Sequence, residues 1–278
     1  MKNQNNMKNI LLIILALAAM LFSCTSAGCV HVNDRHSFNQ FGSRSNIKGS
    51  GNLVTRTAEI PAFRAINASR AVQVIVCDTT DRIVITADDN LIDYVETIVS
   101  REVLYVSIAD SIKSFTNVHV VVVVPIGEKL TMLSASSAAR IATAKALQAE
   151  KLKIAASSAA KIDASIRATV CEIDASSAAR IRVAVSADKC VVDATSASRV
   201  ELIGSADKFE ADLSSASRID AESLKTHICE VDASSSSKVT INCSEYLNAD
   251  VSSAAVVNYK GDCRTDISTS SGGRVRHQ

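Results

Sequence analysis

One short repeat fills the second half of the chain, and it restricts the possible folds more than any other feature. A motif of the type Ser-Ser-Ala-Ala-Arg-Ile first occurs at 136–141 and returns, with substitutions, seven more times, the last at 270–275. Successive copies begin 18 to 21 residues apart, close to nineteen on average. A near-constant spacing with slips of one or two residues is typical of a solenoid whose turns absorb insertions.

Apolar and polar residues alternate on both sides of every copy. Counted from the first residue of the motif as position 0, positions −3 and +5 are aliphatic, as Ile173 and Ile181 are, and position −1 is mostly small. Positions −2 and +4 are polar in seven of the eight copies each, the exceptions being Ala155 and Val256. A period of two is that of a β-strand and excludes a helical solenoid. The sequence therefore predicts an all-β fold, a parallel β-helix or related β-solenoid of about eight coils of about 19 residues, with two short strands per coil.

The polar positions form two charged columns that we interpret as candidate exposed ladders. We expect the two columns to flank one edge of the solenoid and to offset each other's charge across neighbouring coils. The basic column, at position +4, contains Arg140, Lys161, Arg180, Arg199, Arg218 and Lys238, and it returns at Arg274. The acidic column, at position −2, contains Asp174, Asp193, Asp212, Asp232 and Asp250.

The core must be built with few rings, because the chain has only four Tyr, six Phe and no Trp. Stacked aliphatic columns can supply the buried area instead. Cys171, Cys190 and Cys229 share position −5 and are interpreted as small core residues. A Cys171–Cys190 disulfide is the less favoured alternative, because neighbouring parallel strands orient the sulfurs poorly. The remaining cysteines of the body, Cys77, Cys243 and Cys263, have no assignable partner.

The N-terminus has the features of a secretion signal. Lys2 and Lys8 precede an apolar run at 10–22, which is too short to span a membrane and suits a signal peptide at 1–23. The run ends in Leu-Phe-Ser-Cys at 21–24, which resembles the bacterial lipobox and predicts a lipid-modified Cys24. Cleavage near 26–28 by ordinary secretion is the alternative. The expected partner is a membrane, reached through the lipid anchor.

Three further segments follow the anchor. Residues 24–52 are polar and without period, which predicts a tether. Residues 53–128 contain short β runs and are interpreted as an N-terminal β module that caps the first coil, and residues 129–278 form the repeat region. A cap is needed because an open solenoid end exposes strand edges. The degraded last copy, with Gly272, Gly273, Arg274 and Arg276, is the expected polar end.

No catalytic, metal or cofactor site is predicted. His31, His36, His119, His227 and His277 are scattered without metal-ligand spacing. The corner serines have no adjacent base, so their hydroxyls are expected to bond turn backbone. The calculated net charge is +1, and no basic run is present, which argues against a nucleic-acid partner.

Several motifs together are similar to those of a known family. They are Ala-Glu-Ile-Pro-Ala-Phe at 58–63, Ala-Ile-Asn-Ala-Ser at 65–69, the strand at 118–125, the tandem Ser-Ser-Ala corners and Val-Asn-Tyr-Lys-Gly at 257–261. In these motifs, and in the lipobox-like segment, the chain resembles the head GIN domain family, which is described as auto-transporter adhesins of Bacteroidetes-type bacteria. The resemblance implies a right-handed β-helix of the envelope with no assigned catalytic residues. Family corners usually read Ser-Gly-Ala-Ser, and the missing Gly here argues against positive φ angles at the corners.

The leading functional hypothesis is a non-enzymatic, lipid-anchored protein of the cell envelope, most simply an outer-membrane lipoprotein. It would act as an adhesin or binding scaffold for a glycan or protein ligand. One alternative is a polysaccharide lyase or hydrolase that uses the outer carboxylates. Another is a scaffold facing the periplasm, because the residues after Cys24 lack the acidic cluster often associated with surface export. The face of the outer membrane is therefore left open.

Overall fold

The computed structural model of the chain describes residues 46–126 and 129–278. The predicted signal peptide 1–23, Cys24 and the tether up to residue 45 lie outside the described residues. Described helical structure includes the three-residue 3₁₀ turn Ile92–Tyr94. Within the described ranges no helix is long and apolar enough to cross a bilayer.

Strands make up most of the described chain. In chain order they are β1 Ile47–Lys48, β2 Leu53–Ala58, β3 Ala65–Ala68, β4 Gln73–Cys77, β5 Ile83–Asp88, β6 Val95–Ser100, β7 Val103–Ile108, β8 Phe115–Thr116, β9 Val120–Pro125, β10 Met132–Ala135, β11 Arg140–Thr143, β12 Leu147–Ala156, β13 Lys161–Ala175, β14 Arg180–Ala194, β15 Arg199–Leu213, β16 Arg218–Ala233, β17 Lys238–Val251, β18 Val256–Lys260, β19 Arg264–Thr269 and β20 Arg274–His277.

The repeat region is a β-solenoid, as predicted. Each strand from β12 to β17 pairs in parallel with the next, and equivalent repeat positions face each other, as Ile173 faces Val192. The prediction of two short strands per coil is wrong for β13 to β17, because each of these coils is one strand of 14 to 16 residues. In β13 the strand turns near 167–170, where burial changes phase between Ile166 and Cys171.

The coils are joined by four-residue corners with an unusual backbone. Positions +1 and +2 both have positive φ, for example 49° at Ser177 and 60° at Ala178. The argument from the missing Gly was therefore wrong. Two hydrogen bonds hold the conformation: Ala179 N–H donates to Ser176 O (3.0 Å) across the turn, and Ala178 N–H donates to Ser196 O (2.9 Å) in the next coil. Repetition of these bonds in consecutive coils offsets the left-handed strain that Ser and Ala incur.

The inward columns are those that the alternation predicts. Positions −3, −1 and +5 are buried through the first seven copies, from Leu133 and Ile141 to Val251 and Val257. Position +3 adds a fourth buried column of Ala and Ser that the sequence interpretation missed. In the last copy Ile267 is 40% exposed, since β19 pairs with β17 alone among the described strands.

The N-terminal strands continue the ladder of the repeat region. β3 and β4 pair in parallel with β10 and β11 on one side and with β7 and β9 on the other. Antiparallel strands β6 and β5 then lie on the outer edges of β7 and β9. Between β3 and β4, Arg70 and Ala71 form a ninth corner with φ of 59° at both residues. Its buried Ile66, Ala68 and Val74 occupy the same relative positions as the core residues of the repeats.

Candidate functional site

The basic column forms a continuous row on the outside of the solenoid. Arg140, Lys161, Arg180, Arg199, Arg218 and Lys238 are paired one to the next in register, on β11, β13, β14, β15, β16 and β17. We call these six residues the cation row. Five of them are exposed and Lys161 is half-buried. Neighbouring members are one strand spacing apart, about 4.8 Å at the backbone. A shallow groove beside the row is lined by Ala178, Ala197 and Ala216 at the corners.

The acidic column forms a second row on the other side of the same corners. Asp174, Asp193, Asp212, Asp232 and Asp250 face one another in register on β13 to β17. We call these five residues the acid row. Partial desolvation, and then the charges of Asp174 and Asp212, raise the pKa of Asp193. Partial desolvation, and then the charges of Asp212 and Asp250, likewise raise the pKa of Asp232.

The two rows do not neutralise each other, which corrects the sequence interpretation. Among residues 46–126 and 129–278, no ion pair joins a member of the cation row to a member of the acid row. The chain turns at the corner between positions −2 and +4, so the two rows project from different faces. One row member is paired elsewhere: Asp174 contacts Lys153 Nζ at 2.6 Å.

Other columns hold the ion pairs of these faces. Lys208 Nζ lies 2.8 Å from Glu210 and 2.9 Å from Glu230, and Lys189 Nζ lies 2.8 Å from Glu210. On the other face Arg182 contacts Asp163 at 3.4 Å and Glu201 at 3.0 Å. The sequence contained a signal for the lysine and glutamate columns, because they continue the same alternation at positions −6 and −4.

The rows cost stability rather than supply it. Like charges directly opposite on neighbouring strands repel. At this spacing the repulsion is at most about 1 kcal/mol per neighbouring pair in water, before screening by salt. The repulsion within each row therefore opposes folding. We therefore take the rows, and not a cleft, as the candidate functional site.

The acid row gives a pH-dependent prediction. Replacing Asp193 with Asn should raise the free energy of unfolding at pH 7 by a few tenths of a kcal/mol, since it removes one repelling charge. Because the folded-state pKa of Asp193 is raised, the wild-type penalty is complete above that pKa, shrinks as the pH falls through it, and is nearly gone below the ordinary aspartate value of about 3.9. Urea unfolding at pH 7 and pH 3.5 measures this. Asp188→Asn, an exposed change outside the row, is the control, and an equal gain from both variants at pH 7 contradicts the account.

The corner geometry gives a second prediction. Replacing Ser177, with φ of 49°, by Gly should raise the free energy of unfolding by about 0.5–1 kcal/mol, because Gly adopts positive φ without steric cost. Ser186→Gly, at an exposed strand position of β14, should lower stability by a similar amount. Thermal and urea unfolding of both variants checks the opposite signs. If Ser177→Gly instead lowered the free energy of unfolding, residue 177 would not have the positive φ described for this corner.

Two corner hydroxyls, both at position +3, donate to the last carbonyl of a strand in the neighbouring coil and not to the turn backbone that was expected. Ser217 Oγ donates to Ala194 O at 2.8 Å, and Ser237 Oγ donates to Leu213 O at 3.3 Å. The corresponding Ser198 Oγ is buried without a partner among the described residues. These hydroxyls are inside the fold, so they are not available to a ligand.

The six cysteines in the described part of the chain are free thiols, and Cys229, Cys243 and Cys263 lie together. Cys171, Cys190 and Cys229 are fully buried, as expected for core residues. The structure also brings Cys243 and Cys263, for which the sequence offered no partner, to Cys229 near the C-terminal end. The Cys243 thiol donates to Tyr246 O at 3.1 Å. A hydrogen bond with Cys243 and then burial raise the pKa of Cys229, and burial raises the pKa of Cys263 to about 11. Raised pKa values make the Cys229 and Cys263 thiols poor nucleophiles, whereas the hydrogen bond with Cys229 lowers the pKa of the Cys243 thiol to about 6.

The described histidines do not form a catalytic arrangement. His227 Nδ1 lies 3.3 Å from Ser244 Oγ and 3.2 Å from Glu245 Oε1. In a Ser-His-acid relay the acid and the serine contact different ring nitrogens, whereas here both contact Nδ1. His119 contacts Asp88 and His277 stacks near Tyr259. Within the part of the chain that the structure describes, no three His, Cys, Asp or Glu side chains are arranged to hold a metal.

Comparison with known proteins gives a family and several similar structures. Residues 62–263 match the profile of the family described as "Putative auto-transporter adhesin, head GIN domain". A "putative adhesin" of Parabacteroides merdae is 21% identical, with a TM-score of 0.77, over 84% of this chain and 100% of that one. A "putative lipid binding protein" of Parabacteroides distasonis is 18% identical, with a TM-score of 0.76 and the same coverage.

A third similar structure is more distant in shape. It is a "putative adhesin" of Bacteroides fragilis, 19% identical with a TM-score of 0.62, over 83% of this chain and 99% of that one. A search of curated proteins gave no match. At these identities the structures support the fold of the described body.

Proposed function

The chain belongs to the head GIN domain family, and from that membership we propose that it is a non-enzymatic, lipid-anchored binding module of the cell envelope. It presents one face of a rigid β-solenoid to a glycan or protein ligand. The family description and two of the similar structures are named for adhesion, and the other structure is named for lipid binding. The observation that carries the proposal is the pair of charged rows that do not neutralise each other.

The solenoid holds these rows in place before any ligand arrives. Every row member lies in a strand, and each of these strands is hydrogen-bonded to at least one neighbouring strand. None of the row members lies on a long loop. A ligand therefore does not have to order the backbone of the binding surface, and less binding free energy is lost on association. Such a surface suits a ligand that is itself repetitive or extended.

The proposed anchor is the lipid on Cys24. The lipobox-like sequence at 21–24 and the polar residues that follow support it. A diacylated cysteine gives two chains, which is enough for stable attachment without a spanning helix. The body would then stand off the bilayer by the length of the tether.

The test is direct binding. The mature chain, produced without residues 1–23, is applied to a glycan array and to a panel of host-matrix proteins. The proposal expects a saturable ligand on at least one of them, and silence on both contradicts the binding function. Release of soluble oligosaccharides from an acidic polysaccharide, lost in Asp212→Ala, would instead establish an enzyme.

A further inference from the structure

We propose that the cation row binds a linear polyanionic polysaccharide, whose carboxylate or sulfate groups lie along the solenoid axis against successive Arg and Lys side chains. This inference rests on the proposed function and specifies its ligand. It treats the row as one extended site and not as six separate charges.

The row has the charge that such a ligand needs. Within the described ranges none of its six side chains takes part in an ion pair, whereas Arg182, Lys189 and Lys208 on neighbouring columns are all held by carboxylates. Four of the six are arginines, whose planar guanidinium binds carboxylate and sulfate oxygens in a bidentate manner. These donors are exposed and already positioned by the strands.

The row also has a defined length. It begins at Arg140, whose partner on the preceding coil is Gln73, and it ends at Lys238, whose partner on the following coil is Val256. Five strand spacings separate the two ends, which is about 24 Å. That length accommodates a stretch of several charged sugars and exceeds what a single small anion would occupy.

The surroundings of the row leave it open to a chain of this kind. On one side lie the corner alanines Ala178, Ala197 and Ala216, whose side chains are too small to shield the guanidinium groups. On the other side lie Asp163 and Glu201, and Arg182 holds both of them. Asp163 and Glu201 are thus engaged by Arg182, and Asp220, which follows Glu201 in the same column, accepts the Glu222 N–H.

The same surroundings favour a polysaccharide over a membrane or a nucleic acid. The large exposed apolar residues in the described part of the chain are Leu53, Ile98, Tyr105, Ile228, Tyr246 and Ile267, none of which belongs to the row or its corners. A membrane-docking surface needs apolar groups that insert. A single-stranded nucleic acid needs aromatic platforms for its bases, and the row is flanked by alanines.

The test compares two variants that lose the same charge. The row variant is Arg180→Gln/Arg199→Gln/Arg218→Gln, and the matched control is Lys151→Gln/Lys189→Gln/Lys208→Gln, whose lysines are ion-paired. Binding of the mature chain is titrated with heparin, polyuronate, neutral dextran, a single-stranded oligonucleotide and phosphatidylglycerol vesicles. We expect wild type to bind heparin or polyuronate, the row variant to bind at least tenfold more weakly, and the control to stay within about twofold. Thermal unfolding checks that both variants fold.

Three results overturn the inference. They are no binding of wild type to either polyanionic glycan, an equal loss in both variants, and binding to the oligonucleotide or the vesicles as tight as to the glycan. If any of these results is found but the row variant still binds a ligand identified on the array, the proposed function is supported and only the polyanion inference is overturned. If the wild-type chain binds nothing on the glycan array or the matrix panel, both the proposed function and the polyanion inference are overturned.

Discussion

Replacing Phe209 with Ala is expected to lower the free energy of unfolding by about 3–5 kcal/mol. Phe209 is fully buried, and it is the first in size among the fully buried side chains. Its neighbours in the same inward column are Cys190 and Cys229. Because both are small, neither can fill the volume that the ring would leave.

Urea unfolding monitored by circular dichroism measures this effect. Phe209→Leu, which keeps most of the apolar volume, is the matched control and should cost less than about 1.5 kcal/mol. Hydrogen exchange should place the loss of protection in β14 to β16, since coils contact only their neighbours. A cost below 1 kcal/mol for Phe209→Ala would mean that the column does not point into the core.

Replacing Gly204 with Ala is expected to cost about 2–3 kcal/mol. Gly204 has φ of +117°, which L-residues with a side chain rarely adopt. A Cβ at this position would lie 2.0 Å from Val185 O of the neighbouring strand. Backbone hydrogen-bonded within the ladder cannot move away without breaking the pairing of β14 and β15.

The neighbouring residue supplies the control for Gly204. Ser205→Ala alters an exposed position of the same strand and should change stability by no more than about 0.5 kcal/mol. The melting temperatures of the two variants give the comparison. If Gly204→Ala were as stable as Ser205→Ala, the close contact with Val185 would not exist.

The sequence was sufficient for the solenoid because its signal is periodic. The inward positions from Leu133 to Val257 recur at a near-constant spacing of 18 to 21 residues, and each of these columns is buried as predicted. Conformation at the corners was harder to predict. Ser177 and Ala178 do not favour positive φ by themselves, and the conformation is set by hydrogen bonds to the next coil, which local propensity does not contain. The corner at Arg70 was not predicted from the repeat. Ser69 lies 67 residues before Ser136, which is far from the nineteen-residue spacing of the other corners.

Side-chain pairing was the least predictable part of the site. The repeat placed Asp193 and Arg199 near one corner, but which face each projects from depends on how the chain turns there. Cys243 contacts Cys229 from a part of β17 where the register with β16 shifts. A spacing rule based on regular coils cannot recover such contacts.

Protease shaving of intact cells tests most directly whether the chain is a binding module at the cell surface. Cells that express the full chain with an epitope after Gln278 are treated with proteinase K, and an immunoblot follows the cell-bound epitope; lysed cells and a periplasmic protein serve as controls. The account predicts loss of the epitope from intact cells while the periplasmic control survives. Survival of the epitope in intact cells, with loss only after lysis, would contradict surface binding and favour a scaffold that faces the periplasm.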